Sequence, residues 1–529
     1  MISVESADFH VFKDLWQRHG GDTSPVVKLG ASLLLAYCLA RAIYLIWFHP
    51  LSRFPGPAYM CLTSFPFLYR SHVRGTWVRD VVKLHRRYGP AVRIGPGSIS
   101  LDGAIGWPEV YGHRTGGGKV EFQKTPTPLL IDGHEILILA TRNVHRRQRR
   151  QLAQAFSDSA LAGYEPIVRG YVDRLLERLA ERARKGEAVD IVSWFNAATF
   201  DIIGHLAFSE SFSCLENNGY HPWVSSIFDS IRGNSLRRFF QHYPLLGWLV
   251  ETLGLSSSLS KGAHVHSAAK DKARARIKLG PDPIDGHRDM TTYMMKKTAA
   301  TTMTTTTYKE TQGMLQGEML SNAPTLVIAG SETTGTALSG LCFYLARNED
   351  VYRALADEVR AAFGRGDDID MRVAASLEYL GACINEVLRV YPPAAETMPR
   401  ISPGVFINGV YVPKGTTVHV YQWATFHNPN NFLEPDSFIP ERWLSKSHPR
   451  YQERFATDNR AVFKPFSFGP RDCIGRNLAM FEMRLIACRL LCRFDFELEP
   501  GQDSWQEDQK TFDMWRKTPL RLRLYDGFS

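Results

Sequence analysis

One stretch of the chain is apolar almost without interruption, and the remainder mixes apolar and polar positions. Residues 29–48 read LGASLLLAYCLARAIYLIWF, and about 20 such residues span the hydrocarbon of a bilayer. Tyr44 and Trp47 stand near its end, where an aromatic belt is expected. Arg41 interrupts the run at a cost of about 3 kcal/mol at mid-bilayer, less if it snorkels. Ala40-Arg41-Ala42 resembles a small-x-small cleavage site, but the apolar run continues past it and 28 residues precede it. An anchor is therefore expected in preference to a cleaved signal. Lys13, Arg18 and Lys28 before the run and Arg53 and Arg70 after it leave its orientation open. The expected organisation is an N-terminal segment (1–28), a transmembrane anchor (29–48), a stiff proline-rich hinge (49–57) and one large body (58–529).

Within the body, Tyr164–Arg184, Val351–Phe363, Leu377–Tyr391, Asn477–Phe494 and the long stretch Gly313–Arg347 have helical spacing. Ala91–Leu101 and Val410–Val420 read as strands around Pro-Gly and Lys-Gly turns. The expected fold is mainly α with small β-sheets. Thr291–Gln312 holds ten threonines in 22 residues with little apolar pattern, and a flexible surface insertion is expected there.

Of the 529 residues 44% are hydrophobic, enough for a substantial core, which excludes collagen-like, disordered and small disulfide-scaffold classes. A net charge of +9 suits an anionic surface, an acidic protein or nucleic acid and decides little alone. Eight cysteines without a Cys-x-x-Cys pair argue against a disulfide framework or structural zinc and favour a reducing compartment.

The chemistry concentrates in Phe463–Ala479, FKPFSFGPRDCIGRNLA, where Phe466, Gly469, Arg471, Cys473 and Gly475 form F-x-x-G-x-R-x-C-x-G. This pattern suits a haem thiolate: a cysteine sulfur on haem iron is anionic and pushes electron density towards O–O cleavage. A glycine-bracketed loop can turn backbone N–H groups onto that sulfur, and the helix expected after it adds a favourable dipole. Gly469 and Gly475 are expected to let the backbone approach a flat macrocycle, and Arg471 to pair with a propionate. Cys488 and Cys492, four apart on an apolar helix, read as core residues.

The loop resembles the signature of the cytochrome P450 family, the haem-thiolate monooxygenases. Phe48–Pro57 (FHPLSRFPGP) is similar to the membrane-proximal hinge of fungal microsomal members, and the resemblance runs from about Tyr44 to the C-terminus. It implies the cytochrome P450 fold, with haem b between the long oxygen-binding helix and the Cys-loop helix. Glu386 and Arg389, on one helix face in LGACINEVLRVYPP, match the family's Glu-x-x-Arg pair, and Arg442 of Pro440-Glu441-Arg442-Trp443 supplies its partner. The three are expected to form a fixing network that serves folding and haem retention.

Ala329-Gly330-Ser331-Glu332-Thr333-Thr334 places a glycine inside a helix, where it costs about 1 kcal/mol against Ala. Thr333 can bond back to the Ala329 carbonyl and bend the helix, with Gly330 leaving room. Glu332 and Thr333 resemble the family's acid–alcohol pair, which implies proton delivery to bound oxygen. In Val144–Ser157, His145 and Arg149 match a propionate-binding pair, although many members carry Trp where His145 stands, and Arg400 is a further propionate candidate. The remaining arginines, Arg146, Arg147 and Arg150, are expected at a surface where an acidic reductase docks. By analogy the substrate pocket is lined near Phe122–Ile131, Ala323–Ala329 and Ala394–Met398.

Neither Gly116–Gly118 nor the turn Gly95–Ser98 follows a dinucleotide fingerprint. Electrons are therefore expected from NADPH through a separate flavoprotein reductase. The implied enzyme is a single-pass endoplasmic-reticulum protein with a cytosolic catalytic domain. It would oxidise a lipophilic small molecule in fungal secondary metabolism, with no nucleic-acid partner. A non-oxygenating haem-thiolate isomerase or dehydratase is one rival, which the Glu332–Thr333 pair disfavours. A basic membrane-tethered binding protein is another, which leaves the Cys loop unexplained.

Overall fold

The computed structural model describes residues 24–113, 121–124, 133–217, 222–253, 265–282, 284, 286–296, 314–364 and 369–527. Helix α1 (Ser24–Ile43) runs into a π-helical turn, Tyr44–Phe48. Its apolar side chains stand in the open, with Leu34 63% exposed. At Leu45 this changes: the side chain is buried, and Arg93 Nη1 donates to its carbonyl at 2.7 Å. The segment 49–57, expected as a stiff hinge, is docked on the body. Leu51 and Phe54 are buried, and Arg93 N–H bonds Pro55 O at 2.8 Å. Two bulky apolar side chains among the prolines gain more from the core than from water.

The body is helical, with four small sheets among the described residues. In the largest, β1 (Ala91–Gly95) and β2 (Ser98–Leu101) form the expected antiparallel pair around Pro96-Gly97. Its order is β1-β2-β8-β5-β3, with β3 (Gln123–Lys124), β5 (Arg400–Ile401) and β8 (Thr417–Val420). Val410–Val420 is not a hairpin. β7 (Val410–Val412) pairs with β6 (Val405–Ile407), whereas β8 leaves to lie parallel to β2. Val412, Val418 and Val420 are all buried, and packing sends the two halves to different partners. β4 (Val189–Asp190) and β9 (Phe494–Leu498) flank β12 (Arg521–Asp526), and β10 (Lys510–Phe512) turns into β11 (Met514–Arg516).

The site is framed by α2 (Arg142–Leu152), α4 (Ile191–Phe208), α5 (Pro222–His242), α7 (Gln316–Arg347), α9 (Glu378–Val390) and α10 (Arg476–Arg493). α3 (Asp158–Arg184), α6 (Pro244–Thr252) and α8 (Glu349–Phe363) pack around them or, for α6, at the surface. α4 is apolar enough to cross a membrane, but it is 89% buried and so is a core helix. It packs along α7, where a Cβ on Gly330 would meet Ile203 at 2.8 Å. The contact between the two helices therefore favours glycine at 330.

The threonine-rich span begins inside the fold. Thr291 and Thr292 are buried in a short helix, Met290–Met295; Thr291 bonds the Ala207 carbonyl at 2.7 Å and Thr292 accepts from Arg276 at 2.7 Å. The expected surface insertion therefore does not start at Thr291, because these hydroxyls find partners in the core. Residues 297–313 lie outside the described residues.

Candidate active site

The loop before α10 is closed on itself. Cys473 N–H donates to Phe466 O at 2.8 Å, and Arg476 lies 5.9 Å from the Phe466 ring centroid. Gly469 has φ +82°, and a Cβ there would sit 2.0 Å from Tyr111 O. Glycine is required at this position by the neighbouring chain, independently of any ligand. Gly475 has only Phe156 at 3.7 Å from its would-be Cβ, so no described protein atom demands glycine there. Its N–H reaches the Cys473 sulfur and favours a thiolate, while burial works the other way and pushes the thiol pKa up. The Cys473 side chain is nonetheless exposed. Enclosure by protein with open surface is the condition of a side chain facing an interior cleft. Among the described residues no three His, Cys, Asp or Glu converge on a metal position. A metal at Cys473 would thus take its other ligands from a prosthetic group.

Beside the loop lies a buried cluster of cations. Arg471 is held by Glu121 (2.7 Å) and the Ala140 carbonyl (2.8 Å), yet its Nη2 is buried without a partner. Arg400, on β5, lies over the Tyr111 ring at 4.7 Å, and its Nη1 is also buried and unpartnered. Both arginines line one small crevice with Val110, Gly112, Phe122 and Pro470. An unsatisfied buried guanidinium N–H costs a few kcal/mol, so two of them in one crevice fit a ligand that brings carboxylates. The propionates of haem meet that requirement.

Arg149 is committed elsewhere. Its Nη1 bonds Asp472 O at 2.6 Å and its Nη2 the Asp472 carboxylate, so it braces the residue preceding Cys473. His145 is buried, and desolvation with Arg471, Arg149, Lys124 and Arg400 lowers its pKa to about 3. It is neutral at pH 7, a hydrogen-bonding group and not a cation. Lys124, opposite Arg400 across the β3–β5 pair, joins this cluster and was missed in the sequence. No motif surrounds it; only the strand pairing brings it in.

The expected fixing network forms. Glu386 accepts from Arg389 Nε (2.9 Å) and Nη2 (2.7 Å), from Arg442 Nε (3.1 Å), from Ile439 N–H (2.8 Å) and from Trp443 Nε1 (2.8 Å). Burial opposes its charge, but the two guanidiniums and the Ile439 N–H outweigh that and hold its pKa low. Asp458 is an unforeseen member that pairs with Arg442.

On α7, Thr333 Oγ1 bonds Ala329 O at 2.8 Å, as the spacing suggests, and Ala329 is exposed in mid-helix, as a cleft-lining residue would be. Glu332 is not brought to Thr333. Its Oε1 accepts from Lys517 Nζ at 2.5 Å and Thr336 Oγ1 at 3.3 Å, while Oε2 is buried and unpartnered. Consecutive helical residues diverge by about 100°, so one faces the cleft and the other the C-terminal strands. Of the expected basic surface, Arg146 and Arg150 are exposed, but Arg147 is bound by both oxygens of Glu318 at the start of α7. Of the expected pocket segments, 125–132 lies outside the described residues, and Ala323 and Val327 face the core.

The comparisons agree with this geometry. The family model described as Cytochrome P450 matches residues 55–523. The chain is 38% identical to cytochrome P450 monooxygenase aclL of Aspergillus oryzae, over 93% of this chain and 96% of that one. It is 37% identical to averantin hydroxylase of Dothistroma septosporum, over 94% and 90%. It is likewise 37% identical to trichothecene C-4 hydroxylase of Trichoderma arundinaceum, over 95% and 98%. With a cysteine loop, a Glu-Arg network and a threonine helix each in its place, this chain belongs to the cytochrome P450 family and is a haem monooxygenase.

Proposed function

We propose that the protein is a membrane-anchored tailoring oxygenase that hydroxylates a lipophilic small molecule with electrons from NADPH, delivered by a separate flavoprotein reductase. The observation that carries the reading is the pair of unpartnered guanidinium N–H groups, on Arg400 and Arg471, beside a cysteine whose sulfur already receives the Gly475 N–H. Cys473 would ligate the haem iron through its sulfur and Arg400 and Arg471 would hold the propionates; Phe466 closes the loop, and Gly475 would clear space for the macrocycle. When bound, haem supplies dioxygen activation, one oxygen atom entering the substrate and the other leaving as water.

The residues around it position and supply protons. Thr333 holds a hydroxyl proton on the open face of α7, anchored by its bond to the Ala329 carbonyl. Glu332 is held by Lys517 through Oε1, so it joins proton transfer only by leaving that contact, and Thr333 is the proton carrier on the open face. Arg149 fixes Asp472 and His145 stays neutral, so the propionates are assigned to Arg400 and Arg471 alone. The Glu386–Arg389–Arg442 network holds the Cys loop's supporting wall.

Exposed apolar surface supports the anchor. α1 is 6% buried over Pro25–Phe48. α6 has no buried residue, and Leu245 (83%), Trp248 (63%) and Leu249 (46%) stand in the open. Phe65, itself exposed, touches Tyr243 at the foot of α6 at 5.4 Å, which links that surface to the α1 side of the body. A lipid surface of the endoplasmic reticulum is the natural cover. Arg146 and Arg150 remain for an acidic reductase. Relatives named for hydroxylating averantin and a trichothecene favour hydroxylation of a secondary metabolite as the reaction.

The reduced, carbon-monoxide-bound spectrum tests the reading. A red-shifted thiolate-type Soret band is expected, lost in Cys473→Ala, with NADPH-dependent oxygen uptake once reductase is added. A protein that purifies without haem, or keeps that band in Cys473→Ala, overturns it.

A further inference from the structure

The crevice that holds Arg400 and Arg471 also holds an acid. Glu121 is the one acid among the described residues that line it. A carboxylate in a crevice that fits carboxylates is at first sight misplaced, since like charges repel. Its contacts supply a reason. Oε1 accepts from Arg471 Nε at 2.7 Å, and Oε2 accepts from Arg142 Nε, on the first residue of α2, at 3.1 Å. The two contacts differ in kind. The Arg471 side chain is 3% exposed and that of Arg142 49%, so solvent screens the second contact and not the first.

Glu121 is fixed by its own neighbours. Phe122 is buried in the core, and β3 follows at once, with Lys124 opposite Arg400 of β5. The acid is thus carried beside one arginine of the crevice and bonded to the other. It also offsets the repulsion that Arg471 exerts on Arg400.

For Arg471 the consequence is geometric. A guanidinium is a rigid planar fork, and contacts on two of its nitrogens fix the direction of the third. Glu121 takes Nε, and the Ala140 carbonyl takes Nη1 at 2.8 Å. Nη2 is left buried and unpartnered, with its direction set by the other two.

We propose that Glu121 is a positioning residue for haem: it holds Arg471 by Nε so that Nη2 is presented to a haem carboxylate. The proposal rests on reading this crevice as the propionate site. Arg471 is then ordered before haem arrives, and the rotamer freedom of a long side chain is not lost on binding. What Glu121 contributes is an acceptor oxygen at a fixed place. Gln keeps such an oxygen and Leu does not.

The test follows haem transfer from the loaded full-length protein, in detergent, to apomyoglobin. The carbon-monoxide spectrum of each variant shows that haem sits on the thiolate before transfer begins. Glu121→Leu should release haem about fivefold faster than wild type, the effect of freeing one arginine side chain. Glu121→Gln should stay within about twofold of wild type, because the acceptor remains. In an Arg471→Met background Glu121→Leu should add nothing, since the group that it positions is gone. Arg142→Met leaves the Arg471 contact intact and should release haem as wild type does.

Losses that multiply in the double variant would show that Glu121 acts independently of Arg471. Slower release from Glu121→Leu than from wild type would show an acid that competes with the propionates. Release from Arg142→Met as fast as from Glu121→Leu would show that Glu121 works through α2. Each of these overturns the proposal. If the leucine variant does not fold, Glu121→Gln decides: release as fast as from Arg471→Met would make the charge, and not the acceptor, the operative feature. Wild-type release from Arg471→Met sinks the propionate reading beneath. Fast release from Arg471→Met with wild-type release from Glu121→Leu sinks this inference alone.

Discussion

Lys517 Nζ lies 2.5 Å from Glu332 Oε1, and their side chains are 1% and 2% exposed. The lysine comes from the loop between β11 and β12 and the acid from the middle of α7, so the pair ties the C-terminal strands to the central helix. Lys517 also reaches Thr336 Oγ1 at 2.7 Å. Burial raises the Glu332 pKa and lowers that of Lys517, and the charge of each partner opposes the shift of the other. Lys517→Met strands a buried carboxylate and should cost about 3–5 kcal/mol. The double variant Lys517→Met/Glu332→Gln should lose clearly less than the sum of the singles. Chemical denaturation of the four proteins measures the cycle; additive losses would show that the two charges do not need each other.

The Glu386 network predicts a second large and salt-insensitive loss. Glu386→Ala leaves Arg389 and Arg442, 0% and 1% exposed at their side chains, facing each other without the carboxylate between them. Destabilisation of about 3–5 kcal/mol is expected, little changed between low and high ionic strength, because the pair is shielded from solvent. Denaturant unfolding at the two ionic strengths checks it. A loss below about 1 kcal/mol would place these residues among ordinary surface pairs.

Glu482, buried on α10 with only the Thr334 hydroxyl bonding it, carries a pKa raised by burial from 4.5 to about 8. The native state therefore holds a proton that the unfolded chain releases between those two values. Stability should fall as pH rises through that window, by up to about 1.4 kcal/mol per unit. Glu482→Gln should remove this slope and be the more stable protein at neutral pH by about 3 kcal/mol. Denaturation midpoints measured across the window decide the matter; parallel curves for the two proteins would be the contrary result.

Arg400 and Arg471 should govern how long haem stays. Arg400→Met removes one unpartnered donor, whereas Arg471→Met also strips the Ala140 carbonyl of its side-chain donor and leaves Glu121 with Arg142 alone. Transfer of haem to apomyoglobin should be faster by about tenfold for Arg400→Met and by more for Arg471→Met. Rates equal to wild type in both would remove the propionates from this crevice.

The chemistry was readable where it depends on spacing along the chain. F-x-x-G-x-R-x-C-x-G, Glu386 with Arg389, and Thr333 with the Ala329 carbonyl are local relationships, set by a loop or by one helical turn, and all three stand in the structure. The exposed apolar helix near the N-terminus was legible for the same reason, since its composition alone predicts it. What a side chain faces was not legible. Glu332 turns to Lys517, 185 residues away; Gly330 serves a contact with Ile203; Lys124 enters the cation cluster through strand pairing; and Arg147 goes to Glu318 instead of solvent. The start of the threonine-rich span was expected as a flexible surface insertion and the proline segment at 49–57 as a stiff hinge, yet each also carries a few groups that the core can satisfy. Sequence by itself determined the class of chemistry and the helices that bear it, because those follow from local periodicity and ligand spacing. Only the tertiary structure decided which charges meet, because a buried charge is held by whichever partner packing brings within reach.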